Sequence, residues 1–139
     1  MTGRAERSRR AWLAMRNLVL EKYDRRPAVA EALGMSYIRV KALRRVAAGP
    51  VTMRELAVAI GSDAPYTSVL VQDLAERGLV ERREHPEDRR VKIVTVTPAG
   101  RAAAEQAEAI QSEPAAVLQR LSVDDLVALD RILQRLVAE

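Results

Sequence analysis

Residues 52–101 read TMRELAVAIGSDAPYTSVLVQDLAERGLVERREHPEDRRVKIVTVTPAGR, and the fold turns on them. Thr52 and Glu55 have the spacing of a capping box, so a helix starts near Met53. It turns Leu56, Ala57 and Ile60 inward and stops at Gly61, which takes the left-handed conformation at no steric cost. Ser62 or Asp63 caps the next helix, with Pro65 in its first turn, where a missing N–H does no harm. That helix runs to about Arg77, and Gly78 closes it. The period then changes. Leu79, Val80 and ERRE lead into a charge-dense loop, EHPEDRR, and VKIVTVT leads out of it, which reads as a β-hairpin. Thr97-Pro98 is an N-cap followed by proline at the first helical position.

Working outward, Trp12, Met15, Val19 and Tyr23 are spaced at three and four and predict a helix over 5–24. Pro27 interrupts or restarts it, and PAVAEALG runs to a stop at Gly34. Ser36 is a cap for a helix through Ala47 or Ala48, which Gly49-Pro50 ends. After the hairpin an alanine-rich helix carries Ala103, Ala107 and Ile110 on one side, until Pro114 bends or splits it. Ser122 and Asp125 then resemble a capping box before the apolar stripe Leu126, Leu129, Leu133, Leu136 and Val137. The expected fold is mainly α with a small β-hairpin. A helix–turn–helix followed directly by such a hairpin is the winged-helix arrangement, here flanked by long helices at both ends.

Composition narrows the function. At 139 residues, 48% apolar and 30% charged, the chain suits one globular domain with a real core. It has no cysteine, which excludes disulfides, thiolate redox sensing and zinc–thiolate sites. His85 is the only histidine, which leaves almost nothing for a catalytic triad or a transition-metal site, so neither an enzyme nor a cofactor is expected. No apolar run approaches the ~18 residues of a membrane span, and MTGRAERSRR lacks the apolar core of a secretory signal. A cytoplasmic protein is expected. Charge is uneven: residues 1–26 carry eight basic against three acidic residues and 77–101 seven against four, whereas 102–139 carry three against seven. Arginine makes up 20 of the 23 basic residues, which suits phosphate and base-edge contacts, although a high-GC genome gives the same bias. The basic regions point to an anionic partner, with nucleic acid the leading candidate.

The run from Thr52 to Arg101 resembles the multiple antibiotic resistance regulator (MarR) family of bacterial transcription factors. REL-A after Thr52, DLAERGLVER at the end of the second helix, PEDRR in the hairpin and VTPAGR beyond it carry the likeness in order and spacing. The resemblance implies a single domain over 1–139, with a winged helix–turn–helix lobe at 36–98 and helical dimerisation regions at 1–34 and 99–139. It implies a homodimer that binds double-stranded DNA at an inverted-repeat operator. Members usually repress transcription, and many release DNA when a small, often phenolic, effector binds. The subclass that senses oxidants through cysteine is excluded here.

On a helical wheel of residues 64–77, Thr67, Leu70, Val71 and Leu74 fall on the core side, and Pro65, Ser68, Val69 and Gln72 fall opposite. Gln72 suits a bidentate contact to adenine, Ser68 a base or phosphate, and Val69 a thymine methyl. Ser62, Ala64 and Tyr66 flank this surface. The helix has no basic residue before Arg77, so phosphate attraction must come from elsewhere: Arg54, Arg77 and the wing's Arg82, Arg83, Arg89, Arg90 and Lys92, with His85 nearby. Each of these also reads as ordinary solvated charge. By resemblance Asp88 and Arg90 match the wing-tip pattern, Arg90 enters the minor groove, and Asp63 orients that arginine. Asp63 reads equally well as a helix cap. Trp12, Tyr23, Tyr37 and Arg39 lie in segments lining the family's usual effector cleft, where aromatics with an arginine suit an aromatic carboxylate. They read equally as core or interface residues. The alternative to a DNA-binding regulator is a dimeric winged helix that docks a protein instead.

Overall fold

The computed structural model describes residues 3–138. Helix α1 (Arg4–Asn17) runs into one wide π-turn (Leu18–Lys22), where the Tyr23 N–H reaches back to the Leu18 carbonyl at 2.9 Å. The uninterrupted helix expected over 5–24 therefore widens near its end, a change of hydrogen-bond step that side-chain spacing does not encode. Helix α2 (Arg26–Leu33) ends at Gly34 and α3 (Tyr37–Ala47) follows. Strand β1 (Val51–Thr52) then leads into α4 (Met53–Ile60) and α5 (Ala64–Glu76). Strands β2 (Val80–Glu84) and β3 (Lys92–Val96) form the wing. Helix α6 (Pro98–Ser112), a short 3-10 turn (Ala116–Arg120) and α7 (Val123–Val137) complete the chain. Among the described residues, no helix is long and apolar enough to cross a membrane.

Local chemistry places most of these boundaries. The Thr52 hydroxyl accepts from the Glu55 N–H at 3.1 Å, and α4 ends at Gly61 with φ 67°. Thr97 and Ser122 cap α6 and α7 in the same way, accepting from Gly100 N–H at 3.0 Å and Asp125 N–H at 3.1 Å. Ser36 stands at the cap position of α3, but its hydroxyl accepts from Arg39 Nη1 at 2.9 Å rather than from the helix backbone. The sheet has three strands, not the two expected: β1 pairs with β3 through Val51↔Val94 and Thr52↔Ile93. Within the hairpin, Val80 pairs with Val96 and Arg82 with Val94.

The core gathers Val29, Val40, Leu43, Val46, Leu56, Leu70, Val71, Leu74 and Val94. Its members come from α2 to α6 and the sheet, whereas neither α1 nor α7 buries a single residue. Thr67 sits inside this core at 0% exposure, and its hydroxyl finds no partner among the described residues. An unpaired buried hydroxyl costs about 1–3 kcal/mol, whereas valine fills the same volume without it. Thr67→Val is therefore expected to stabilise the protein by about 1 kcal/mol. An upward shift of the urea midpoint at constant slope checks this, and a downward shift refutes it.

The neck of the wing is tightly tied. Thr97 donates its N–H to the Leu79 carbonyl at 3.1 Å and its hydroxyl to the Gly78 carbonyl at 2.6 Å, while the same hydroxyl caps α6. One residue thus joins the segment that ends α5, the base of the wing and the long helix that follows.

Candidate nucleic-acid interface

Helix α5 has two unlike sides. Thr67, Leu70, Val71 and Leu74 are buried, which leaves Pro65, Ser68, Val69 and Gln72 facing outward. Val69 is 58% exposed, a large fraction for a valine in a helix whose opposite side is sealed. Ser68, Val69, Gln72 and Glu76 line one shallow depression with Arg39 and Asp73. Ala64 and Tyr66 are exposed at the helix start, Ser62 is half-buried, and Arg54 is exposed on α4. The Asp63 carboxylate accepts from the Tyr66 N–H at 2.7 Å, so Asp63 is the cap.

Asp73 anchors this helix to its surroundings. It accepts from Arg39 Nε and Arg77 Nε, both at 2.8 Å. The Arg77 hydrogen bond, followed by that from Arg39, holds the Asp73 carboxyl below its ordinary value, against the opposing effect of partial desolvation. Arg77 also donates to the Gly34 carbonyl at 3.2 Å, which joins the end of α5 to the end of α2. These bonds give Arg77 a structural role alongside any contact to an outside partner.

The wing tip is held by its own polar groups. His85 N–H donates to the Val91 carbonyl at 2.8 Å, and His85 Nδ1 accepts from the Glu87 N–H at 3.0 Å. Asp88 Oδ1 accepts from the Arg90 N–H at 3.0 Å and from Arg90 Nε at 3.1 Å, and Oδ2 accepts from Nη2 at 3.3 Å. These Arg90 hydrogen bonds, the side-chain one first, lower the Asp88 pKa. The Arg90 side chain is nonetheless 91% exposed. Arg83 pairs with Glu81 at 2.8 Å and Lys92 with Glu84 at 3.4 Å, while Arg89 stands 4.0 Å from Glu84. Within one chain, then, Arg90 is aligned by Asp88, and the carboxylate of Asp63 is committed to the α5 backbone.

Of the four residues expected in an effector cleft, the structure brings together two. Tyr23 and Tyr37 line a cavity of about 190 Å³ with Gln111, whose Nε2 donates to the Tyr37 hydroxyl at 3.0 Å. Tyr23 also borders an apolar cavity of about 390 Å³ with Met15, Leu118, Leu129 and Leu133. Trp12, 63% exposed on α1, lines neither cavity. Arg39 lies apart, at α5, because the packing of α3 against α5 delivers its guanidinium to Asp73. A residue that sequence reasoning placed only among phosphate contacts is Arg82. Its Nη2 donates to Gln72 Oε1 on the outward face of α5. Buried Val80 and the two-residue period of β2 carry the signal, since they put Arg82 on the helix side.

Residues 33–91 match the sequence model of the MarR family. The HTH-type transcriptional regulator BilQ of Clostridium symbiosum is 35% identical over 86 residues, which cover 61% of this chain and 60% of that protein. The match thus spans less than two thirds of the relative's length. Wild-type MarR from E. coli, in its apo form, has the same fold with a TM-score of 0.72 at 22% identity, covering 91% of this chain and 94% of that one. MepR of S. aureus in its complex with DNA gives a TM-score of 0.63 at 20% identity, covering 89% of this chain and 98% of that one. Residues 33–91 thus carry the sequence pattern of the MarR family, and nearly the whole described chain has the fold of MarR and MepR.

Proposed function

We propose that the protein is a homodimeric, sequence-specific DNA-binding regulator of transcription, acting as a repressor at an inverted-repeat operator. The observation that carries this is α5: one side is sealed in the core and the other is bare, beside a wing whose Arg89 and Arg90 side chains are more than nine-tenths exposed. The bare side has the polarity and size to enter a major groove, and the wing supplies the positive charge the helix lacks. MepR, which shares the fold, has been solved bound to DNA. The terminal helices support pairing of two chains. Trp12, Val19, Val127, Leu136 and Val137 are each more than 60% exposed, a larger apolar surface than a lone chain leaves in water. Two lobes related by a two-fold axis would meet half-sites about 34 Å apart. A small effector entering the apolar cavity beside Tyr23 would press on α1 and α7 and so on the spacing of the lobes.

Binding to the protein's own upstream DNA, followed by fluorescence anisotropy across a salt titration, tests the reading. Contacts from several arginines in each of two lobes should give a log–log salt slope of roughly −5 or steeper. A slope near zero overturns DNA binding and favours docking of a protein on the same face. Light scattering at micromolar concentration should report a dimer, and a monomer there removes the paired-lobe geometry.

A further inference from the structure

Gln72 is not a free side chain on the reading face. Its Nε2 donates to Glu76 Oε1 at 2.9 Å, one helical turn on, and its Oε1 accepts from Arg82 Nη2, which reaches over from the middle of β2. Arg82 can do this because it shares a strand face with buried Val80, the side on which α5 packs. Its neighbour Arg83 points to the opposite face and pairs with Glu81 instead. The two flanking charges settle which end of the amide is which. The reverse orientation would set an NH₂ against the guanidinium and a carbonyl oxygen against the carboxylate.

A carboxamide offers two N–H donors and two acceptor lone pairs. The clamp consumes one of each. What remains is one donor and one acceptor side by side, which is the pair that adenine N7 and N6–H₂ require in the major groove. Holding the amide in one orientation also lowers the rotamer entropy lost when it meets a base. We propose that Arg82 is a positioning residue for sequence reading: with Glu76 it clamps Gln72 as a pre-oriented adenine reader, so that a wing residue sets specificity at a base it does not touch. This rests on the reading that α5 enters the major groove.

Selection from random duplexes with the wild type and with Gln72→Ala identifies the base pair in question, as the adenine whose preference disappears in the variant. The wild type is expected to favour adenine there by about tenfold or more, as a bidentate pair does. Arg82→Met should reduce that preference to about threefold or less and leave the other positions of the motif intact. In a Gln72→Ala background it should change discrimination no further. Glu76→Ala separates clamping from charge. Removing an acidic residue beside the phosphates should raise affinity for all sequences, yet the adenine preference should still fall. Arg82 and Glu76 are exposed, so an unchanged melting temperature verifies the fold of each variant. The proposal is overturned if Arg82→Met weakens all sequences evenly, with a shallower salt slope and the adenine preference intact, because Arg82 is then only a phosphate contact. It is also overturned if Gln72→Ala leaves every preference in place. A wild type that selects no sequence at all sinks the DNA-reading function itself, a result distinguishable from either.

Discussion

Arg90→Ala is expected to weaken operator binding about a hundredfold while leaving dimerisation and the melting temperature unchanged. The reason begins in α5, which carries no lysine or arginine between Ala64 and Glu76 and has Asp73 and Glu76 near its end. A reading helix with that charge gains little from the phosphates, so the attraction has to come from the wing. At the wing tip, Asp88 holds the Arg90 backbone and guanidinium through three hydrogen bonds and so aligns the side chain without burying it. An aligned and almost fully exposed arginine suits a narrow minor groove, where negative potential is concentrated. Losing one charge-assisted contact costs roughly tenfold in affinity, and a two-fold dimer loses it at both wings. Because the side chain packs against nothing in the core, the fold has no stake in it. Fluorescence anisotropy at fixed salt gives the answer, and wild-type affinity in the variant would end the argument for Arg90.

The second large effect concerns stability. Gly100→Ala should destabilise the protein by about 3 kcal/mol, toward the upper end of what overpacking costs. A Cβ at this position would stand 1.9 Å from the Leu79 carbonyl oxygen, 2.9 Å from its carbon and 2.9 Å from Val96 Cγ2. Backbone cannot step aside here as a flexible side chain would. Leu79 is pinned by the Thr97 N–H, and Gly78 by the Thr97 hydroxyl. The glycine in TPAGR is thus required by the close approach of α6 to the start of the wing, not by any contact to an outside molecule. A urea midpoint equal to that of the wild type would show that the neck can open without cost, contrary to this geometry.

What the sequence discloses is what depends on near neighbours. Thr52 with Glu55, Gly61, Asp63, Thr97 and Ser122 mark helix ends because each acts on backbone groups within three or four residues. The sealed side of α5 is legible for a similar reason: a period of 3.6 sorts Thr67, Leu70, Val71 and Leu74 from Ser68, Val69 and Gln72 without knowledge of what covers them. Partners distant in sequence are another matter. Strand β1 is two residues long and exists only because β3 lies beside it, so nothing in Val51-Thr52 announces it. Arg39 is separated from Asp73 by 34 positions, and only the crossing of α3 and α5 brings them together. The Arg82–Gln72 contact was half accessible, since alternation from Val80 gives the face but not the reach. At Leu18–Lys22 the helix widens by one residue per turn without any change in side-chain pattern.

The tied neck around Thr97 has a mechanical consequence. A hairpin free at its base would swing on its own, and its tip would search for the minor groove independently of the rest of the molecule. Here the strands leave a closed joint whose third arm is α6. The wing therefore follows α6 as a rigid spoke follows its hub. In the proposed dimer, a force that tilted the long helix would be carried to Arg90 as leverage over the length of the hairpin.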